Sequence, residues 1–417
     1  MLTLLTALLV QASPPAPSIA RPASTGHLPV VLATDSVSAA DFPLSHFGAR
    51  VLALLDPRRA GPDGVRLVVA DETESLVWIL SVDGRSAERV PGAGFLDAYG
   101  LVDAGDVDRD GRAELLHGTR GAWTLRSGAT LEPIVHYTSG EVCVVGDIDG
   151  DGEDELAFAR DVRLANGELP RLAVSVRSRK RVDDLWTFDA VASFVAEPRH
   201  LLAAGDVDRD GAADLLVLAE DRALVLSGRD GRRLVELGDR GRLPAKRAAR
   251  LGDVDDDGVP DFVLGYPDSS CSERRLAHVD VVSGRDGRRL HRLESDGGMF
   301  GSELAAGLDL DGDGCPDFAV ATHSGTFEGV HVYSGRGAAL RYPITSDWDC
   351  HRRFSVALLP DVDGDGAADL VVGATTWPGA NCDHGSVSLW SGKTGAPLAT
   401  WTARSPVIAA ARSDASR

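Results

Sequence analysis

The chain has 417 residues, more than a usual single domain, which indicates two or three domains or one large repeat fold. Hydrophobic residues make up 43% and charged residues 25% of the composition, a balance typical of a soluble globular protein and not of a disordered chain. The net charge of −20 would repel a phosphate backbone, so nucleic acid is not expected as a partner.

The N-terminus resembles a signal peptide. An apolar or small-residue run, Leu2 to Val10, leads into Val10-Gln11-Ala12 and then a stretch rich in Pro, Ser and Ala. The run is too short to span a bilayer, and a frayed apolar tail is the alternative. We therefore predict a signal peptide over 1–12, a linker over 13–44, a secreted or periplasmic mature protein, and no transmembrane segment.

Six short loops account for the acidic excess of the chain. Each has acids at positions 1, 3, 5 and 9 and glycine at position 6, counted from the first aspartate. Position 7 is expected to turn its backbone carbonyl toward the same centre. The candidate metal ligands are positions 1, 3, 5, 7 and 9 of each loop. Loop by loop they are Asp106, Asp108, Asp110, Arg112, Glu114; Asp147, Asp149, Asp151, Glu153, Glu155; Asp206, Asp208, Asp210, Ala212, Asp214; Asp253, Asp255, Asp257, Val259, Asp261; Asp309, Asp311, Asp313, Cys315, Asp317; and Asp361, Asp363, Asp365, Ala367, Asp369.

A second signature recurs in the same phase. It is an apolar strand-like run that ends in serine, usually followed by glycine, as in Leu224-Val225-Leu226-Ser227-Gly228. The first copy has only Asp56-Pro57-Arg58-Arg59 before it, which resembles a decayed acidic loop. The chain therefore contains seven units of about fifty residues, six of them with an intact loop.

The units predict an all-β fold. Within each, one strand enters the acidic loop, a second leaves it, the Ser-Gly strand follows, and a turn opens a fourth strand. This order predicts a seven-bladed β-propeller of four-stranded antiparallel blades over 45–402 and a C-terminal tail over 403–417. Tandem β-sandwiches need about twice this period, and a solenoid needs capping ends that the sequence lacks. Pro29 to Ala33 is the candidate closing strand.

The loop spacing is typical of a hard-cation site. Oxygen ligands in this number, without histidine, suit Ca²⁺ better than Zn²⁺ or Mg²⁺, and the glycine permits the bend that brings position 7 inward. The fixed register in six copies is not explained by the preference of Asp and Gly for turns. An EF-hand is excluded, because its last acid stands at position 12 between helices, whereas these loops lead into strands. We therefore predict up to six Ca²⁺ ions.

Loop and period together resemble the FG-GAP repeats of integrin α-subunit propellers and their bacterial relatives. The matching residues include Phe300-Gly301 before Asp309, Gly265-Tyr266-Pro267, and Asp369 to Ala374 after the last loop. The resemblance implies a seven-bladed propeller with calcium in loops on one rim, and an extracellular role in adhesion or ligand binding. This chain differs from integrins in having six intact loops and no Asp-x-Ser-x-Ser motif, so the integrin ligand mechanism is not implied.

Two functional hypotheses remain open from sequence, besides a third possibility that the protein is a passive structural repeat of an envelope or matrix. The first is a non-catalytic, monomeric binding or adhesion module for an extracellular protein or carbohydrate. The second is a carbohydrate-active enzyme, a lyase or hydrolase, on a calcium-stabilised scaffold. Candidate ligand-binding residues near the last blades are Trp348, Trp377, Asp383 and His384. No catalytic motif was found, and Cys350–Cys382 and Cys271–Cys315 are candidate disulfides.

Overall fold

The computed structural model describes residues 47–59, 61–71, 76–83, 85–90, 100–119, 122–138, 140–162, 171–178, 184–190, 201–219, 222–238, 245–268, 277–295, 299–323, 328–345, 352–376 and 385–402. These residues contain 28 β-strands and, between β1 and β2, one 3-10 turn at Gly61–Gly64. These ranges contain no α-helix. Among the described residues, no helical segment is long and apolar enough to cross a membrane.

The strands fall into seven consecutive groups of four, which we call blades 1 to 7. Blades 1 to 4 comprise β1 (Phe47–Leu55), β2 (Val65–Asp71), β3 (Leu76–Ser81), β4 (Ala87–Arg89); β5 (Gly100–Asp103), β6 (Leu115–Thr119), β7 (Ala122–Arg126), β8 (Pro133–Tyr137); β9 (Glu141–Gly146), β10 (Glu155–Val162), β11 (Arg171–Arg177), β12 (Asp184–Ala190); and β13 (Leu201–Gly205), β14 (Asp214–Leu218), β15 (Ala223–Leu226), β16 (Arg233–Leu237). Blades 5 to 7 comprise β17 (Arg247–Gly252), β18 (Asp261–Tyr266), β19 (His278–Val282), β20 (Arg289–Glu294); β21 (Glu303–Leu308), β22 (Asp317–Thr322), β23 (Gly329–Tyr333), β24 (Leu340–Thr345); and β25 (Arg352–Leu359), β26 (Asp369–Thr376), β27 (Ser386–Trp390), β28 (Pro397–Thr402).

Each blade is a simple antiparallel meander whose strands pair in chain order. The first strands of neighbouring blades contact one another all the way round, from β1 through β5, β9, β13, β17 and β21 to β25 and back to β1. This closed circle of first strands is the inner wall of a propeller. The predicted all-β, seven-bladed fold is therefore confirmed.

Burial follows the position of a strand in its blade. The second strands are buried on both faces, as in β18 and β22, because each blade is covered by its two neighbours. The fourth strands are more exposed, as in β8, because they form the outer edge. Seven apolar clusters fill the seven seams, and the cluster of Trp78, Leu389 and Trp401 packs blade 1 against blade 7. Apolar packing thus closes the ring.

Several sequence predictions concern residues outside the described ranges. They are the signal peptide over 1–12, the linker over 13–44 with its closing strand at Pro29 to Ala33, and the tail over 403–417. The Cys271–Cys315 disulfide was wrong, because Cys315 is a free cysteine packed in the apolar seam between blades 5 and 6. Cys350 and Cys382 lie outside the described residues.

A buried histidine ties blade 6 to blade 7. The backbone N–H of Phe354 donates to His323 Nδ1 at 3.0 Å, and only 7% of His323 is exposed. Burial lowers the pKa of His323 to about 4, the nearby guanidiniums of Arg353, Arg50 and Arg247 act in the same direction, and Glu303 opposes them. The imidazole is therefore neutral in the folded protein at pH values where the unfolded chain would bind a proton.

We expect His323 to make stability depend on pH. The folded-state pKa lies below the unfolded value of about 6.5, so the unfolded chain binds more protons between about pH 4 and 6.5. The contribution of His323 is complete above this window and is lost as the pH falls through it. Denaturant unfolding with saturating Ca²⁺ should show that His323→Asn, which retains an acceptor for the Phe354 N–H, loses about 2 kcal/mol less between pH 7 and pH 4.5 than the wild type. Identical losses in the two proteins would contradict this assignment.

Candidate metal centres

The acidic loops all occupy the same place in their blades. Each follows the first strand and ends where the second strand begins, so that Asp261 opens β18 and Asp317 opens β22. Because the first strands run in the same sense around the ring, their loops lie together on one rim. The fold therefore gathers the acidic excess of the chain on a single face.

Carboxylates at positions 1, 3 and 5 curl each loop by accepting backbone hydrogen bonds. In the loop of blade 6, the N–H groups of Gly312 and Gly314 donate to the two oxygens of Asp309 at 2.7 and 2.8 Å. Asp311 Oδ1 accepts from Asp313 N at 3.0 Å, and Asp313 Oδ1 accepts from Cys315 N at 2.8 Å. Short acidic side chains favour turns of this kind. The curl directs successive carboxylates toward a common centre.

Position 4 of every loop has a left-handed backbone. It is glycine in three loops, but Arg109, Arg209 and Asp256 adopt the same conformation, with φ of 63°, 63° and 58°. Such residues cost of order 1 kcal/mol or more relative to glycine. The two arginines use this position to reach the loop of the next blade, since Arg109 donates to the Gly152 carbonyl at 3.3 Å and Arg209 to the Asp257 carbonyl. Adjacent loops are thus in direct contact.

The acid at position 9 is the most buried member of each set. Asp214, Asp261, Asp317 and Asp369 have no exposed surface. One oxygen of Asp317 accepts from Leu310 N, at position 2, at 2.9 Å, and the other accepts from Gly335 N at 2.9 Å. The carboxylate thus joins the loop to the turn that follows the third strand of the blade.

That second donor explains the Ser-Gly signature. In five blades the glycine after the serine donates its N–H to the position-9 carboxylate: Gly128 to Glu114, Gly228 to Asp214, Gly284 to Asp261, Gly335 to Asp317 and Gly392 to Asp369. Sequence reasoning recorded this glycine as a strand marker and did not place it at the site. The glycine follows the acidic loop in the same order in each of these units, and this regularity was the sequence signal that could have placed it at the site.

Several carboxylate oxygens lie where an ion would be held. Groups of three acids, each with one oxygen within 4.8 Å of the others, recur among the loops and include Asp106, Asp108, Asp110; Asp147, Asp149, Glu155; Asp206, Asp208, Asp210; Asp253, Asp255, Asp261; and Asp309, Asp311, Asp317. Asp106 Oδ1, Asp255 Oδ1 and Glu155 Oε1 are buried and accept no hydrogen bond. A buried oxygen without a donor is costly, and a hard cation would satisfy it. The loops can therefore hold metal ions.

Burial disfavours the ionised form of the acids at position 9. It raises the pKa of Asp369 to about 7 and that of Asp214, Asp261 and Asp317 to about 6, with neighbouring loop carboxylates acting in the same direction. A bound divalent ion favours the ionised form and would offset this effect. The electrostatics of the loops are therefore suited to a cation.

Arginines from the same blade already contact loop carboxylates in blades 4, 5 and 6; in blade 6, Arg341 lies 3.0 Å from Asp311. In blade 5, Arg285 donates to Asp257 Oδ2 at 2.6 Å and Arg288 donates to Asp255 Oδ2 at 2.8 Å. Blade 4 repeats this arrangement with Arg229 on Asp210 at 2.9 Å and Arg232 on Asp208 at 2.6 Å. The four arginines come from the turns Ser227 to Arg232 and Ser283 to Arg288, which have the same sequence, Ser-Gly-Arg-Asp-Gly-Arg.

Blade 1 departs from the pattern, as its decayed loop predicts. Asp56, at position 1, is 3% exposed and accepts from Arg66 at 2.7 Å and from Ala113 N at 3.0 Å. Arg58 of the same loop lies 3.8 Å from Asp106 of blade 2. At blade 1, arginine side chains of the protein therefore lie beside the carboxylates of Asp56 and Asp106.

The other predicted ligand-binding residues, Trp348, Trp377, Asp383 and His384, lie outside the described residues. Of the position-7 residues, Ala212, Val259, Cys315 and Ala367 have buried side chains, so only their backbone carbonyls remain as candidate ligands.

A ring of seven antiparallel blades with Asp-x-Asp-x-Asp-Gly loops on one rim defines a class of β-propeller. The model of the FG-GAP repeat family matches residues 300–339 and 353–390, which correspond to blades 6 and 7. The chain therefore carries FG-GAP repeats, and the resemblance stated from the sequence is confirmed.

Curated relatives match about a third of the chain. It is 32% identical over 196 residues to human phosphatidylinositol-glycan-specific phospholipase D, which covers 37% of the chain and 23% of that protein. It is 27% identical over 161 residues to integrin alpha-5 of Xenopus laevis, which covers 35% of the chain and 15% of the integrin. The match thus spans less than a quarter of the length of these relatives.

Among solved structures, the chain is similar to the Vibrio cholerae biofilm matrix protein Bap1. The two share 13% identity with a TM-score of 0.48, over 85% of this chain and 79% of that one.

Proposed function

We propose that the protein is a secreted, calcium-binding β-propeller that acts as a non-catalytic binding or adhesion module. The observation that carries the cation assignment is the set of buried loop oxygens that accept no hydrogen bond, Asp106 Oδ1, Asp255 Oδ1 and Glu155 Oε1. They belong to acid clusters that recur in fixed register on one rim.

The donor set supports calcium as the ion. Each loop offers carboxylates at positions 1, 3, 5 and 9 and the carbonyl at position 7, which suits the six to eight oxygen ligands that Ca²⁺ takes. Histidine and cysteine side chains do not contribute, which disfavours Zn²⁺. When bound, the ion would offset two of the four negative charges of its loop, and the loops would hold up to six ions.

The binding role is supported by the repeat class and by integrin alpha-5 among the relatives. An extracellular protein or carbohydrate is the proposed partner, and the monomer is the proposed form. The alternative, a carbohydrate-active enzyme, depends on residues near the last blades that the structure does not describe, and no described cluster favours it. The part of phospholipase D that matches is too small a share of that protein for its activity to be transferred.

Ion counting tests the cation assignment. After equilibrium dialysis against micromolar Ca²⁺, we expect elemental analysis to find four to six ions per chain, about one for each of the six loops. The double variant Asp309→Asn, Asp311→Asn should bind one ion fewer, because it removes two ligands from one loop. The exposed Asp286→Asn, which removes a carboxylate outside the loops, serves as the control and should retain the full number.

Two outcomes would overturn the assignment. One is a chain that binds no Ca²⁺ after dialysis, and the other is equal loss of ions in the loop variant and in Asp286→Asn. Calcium-dependent retention of the chain on immobilised matrix proteins or polysaccharides would then test the binding role, and turnover of a polysaccharide would favour the enzymatic alternative.

A further inference from the structure

Blades 4 and 5 carry two turns of identical sequence, Ser227 to Arg232 and Ser283 to Arg288, which we call the arginine turns. In each turn the first arginine donates to the position-5 aspartate of its blade and the last arginine donates to the position-3 aspartate. Two of the four carboxylates that one ion would share are therefore already paired with guanidinium groups. The loop of blade 5 has a third guanidinium beside it, because Arg209 of blade 4 donates to the carbonyl of Asp257.

The corresponding turn of blade 7 has no arginine and serves as the comparison. Its serine, Ser391, donates from Oγ to Oδ2 of the position-5 aspartate Asp365 at 3.2 Å. Lys393 stands in the place of the first arginine and donates to the backbone carbonyl of Asp365 at 2.7 Å, not to its carboxylate. Ala396 stands in the place of the last arginine. The carboxylates of this loop thus keep a neutral partner from the turn.

In the arginine turns the first arginine has taken the place of the serine. Oδ2 of the position-5 aspartate accepts from Nε of Arg229 in blade 4, at 2.9 Å, and from Nε of Arg285 in blade 5, at 2.6 Å. Ser227 Oγ and Ser283 Oγ are buried and make no hydrogen bond. A buried hydroxyl without a partner is unfavourable, so these two serines show that a cation of the protein has displaced a neutral donor from the loop.

The arginine contacts weaken ion binding without preventing it. The side chains of the four arginines are between 52% and 61% exposed, and ion pairs as exposed as these contribute little to stability. A divalent ion can therefore bind beside them. Each guanidinium repels that ion, however, and one positive charge about 6 Å away lowers its affinity roughly tenfold even at the dielectric of water.

We propose that the loops of blades 4 and 5 are low-affinity Ca²⁺ sites, because Arg229, Arg232, Arg285 and Arg288 pair with their carboxylates, and that the loop of blade 7 is a high-affinity site. The inference rests on the proposed function, since it ranks the same ions. It makes the rim respond to Ca²⁺ in two steps, with blades 4 and 5 filling only when the ion is abundant.

Calcium titration of loop variants tests this ranking on the full chain. Bound ions are counted by elemental analysis after dialysis at buffered free Ca²⁺ concentrations from the micromolar to the millimolar range. The double variant Asp361→Asn, Asp363→Asn disables the loop of blade 7 and should remove one ion from the low-concentration part of the isotherm. Asp253→Asn, Asp255→Asn in blade 5 should leave that part unchanged and remove one ion at a concentration at least about tenfold higher.

Arginine variants test the cause of the ranking. Arg285→Gln, Arg288→Gln should move the binding of one ion to free Ca²⁺ concentrations about tenfold lower or more. Arg229→Gln, Arg232→Gln repeats the test in blade 4, so the result does not depend on the folding of one variant. The control Arg89→Gln, Arg160→Gln removes two exposed arginines outside the loops and should leave the isotherm unchanged.

The melting midpoint of each variant at millimolar Ca²⁺ is measured alongside, and a shifted isotherm with an unchanged midpoint supports the inference. Loss of the blade 5 ion and of the blade 7 ion at the same free Ca²⁺ concentration would overturn it, as would unshifted isotherms in both arginine variants. Either result would leave the cation assignment intact. A chain that binds no Ca²⁺ at millimolar concentration would instead overturn the proposed function, and this inference with it.

Discussion

Removal of divalent ions with a chelator is expected to lower the melting midpoint by on the order of 15 °C or more. Each loop holds four carboxylates, and at an effective dielectric of 20 a pair about 5 Å apart repels by roughly 3 kcal/mol. An ion present at a hundredfold excess over its dissociation constant contributes about 2.7 kcal/mol, and several sites add together. The total is comparable with the whole stability of a typical domain.

Differential scanning calorimetry measures this effect. The control is the same chelator saturated with Ca²⁺, which should leave the midpoint unchanged, and excess Ca²⁺ added to the stripped protein should restore it. An equal midpoint with and without ions would show that the loops are closed by the chain alone, and would remove the basis of the proposed function.

Gly335→Ala is expected to destabilise the protein by roughly 3 kcal/mol or more. A Cβ at this position would lie 1.8 Å from the carbonyl oxygen of Pro316, a backbone atom that cannot move without displacing the start of β22. The N–H of Gly335 donates to Asp317 Oδ1 at 2.9 Å, so displacement would also disturb the position-9 carboxylate. The change should therefore lower the Ca²⁺ count by one as well as the free energy of unfolding.

Gly337→Ala is the matched control, two residues further along the same turn. Gly337 has a φ of +93° but no heavy atom within 4 Å of the added Cβ, so the cost should be limited to backbone strain of about 1 kcal/mol. Urea unfolding of both variants would distinguish the effects. If the two variants were equally stable, contact with Pro316 would not be the reason for glycine at this position.

Sequence predicted the fold because its signals are local and repeated. The spacing from Asp309 to Asp317 recurs in six blades and the Ser-Gly ending in five, so the interpretation of one unit can be extended to the others. The loop acids were found for the same reason, since all the proposed side-chain ligands of one ion lie within nine residues.

Features that depend on contacts between distant residues could not be predicted. Gly335 meets Asp317 across 18 residues, and Arg288 meets Asp255 across 33. Cys315 was only a candidate for a disulfide, because spacing cannot show that its side chain packs into the seam between blades 5 and 6.

The arginine turns of blades 4 and 5 make the rim electrostatically uneven. In these adjacent blades, Arg232 and Arg288 bring positive charge to the position-3 aspartates, and in blade 6 Arg341 lies 3.0 Å from the position-3 aspartate Asp311. The three consecutive blades 4, 5 and 6 thus have internal counterions. The loops of these blades can therefore curl at lower electrostatic cost before any ion binds.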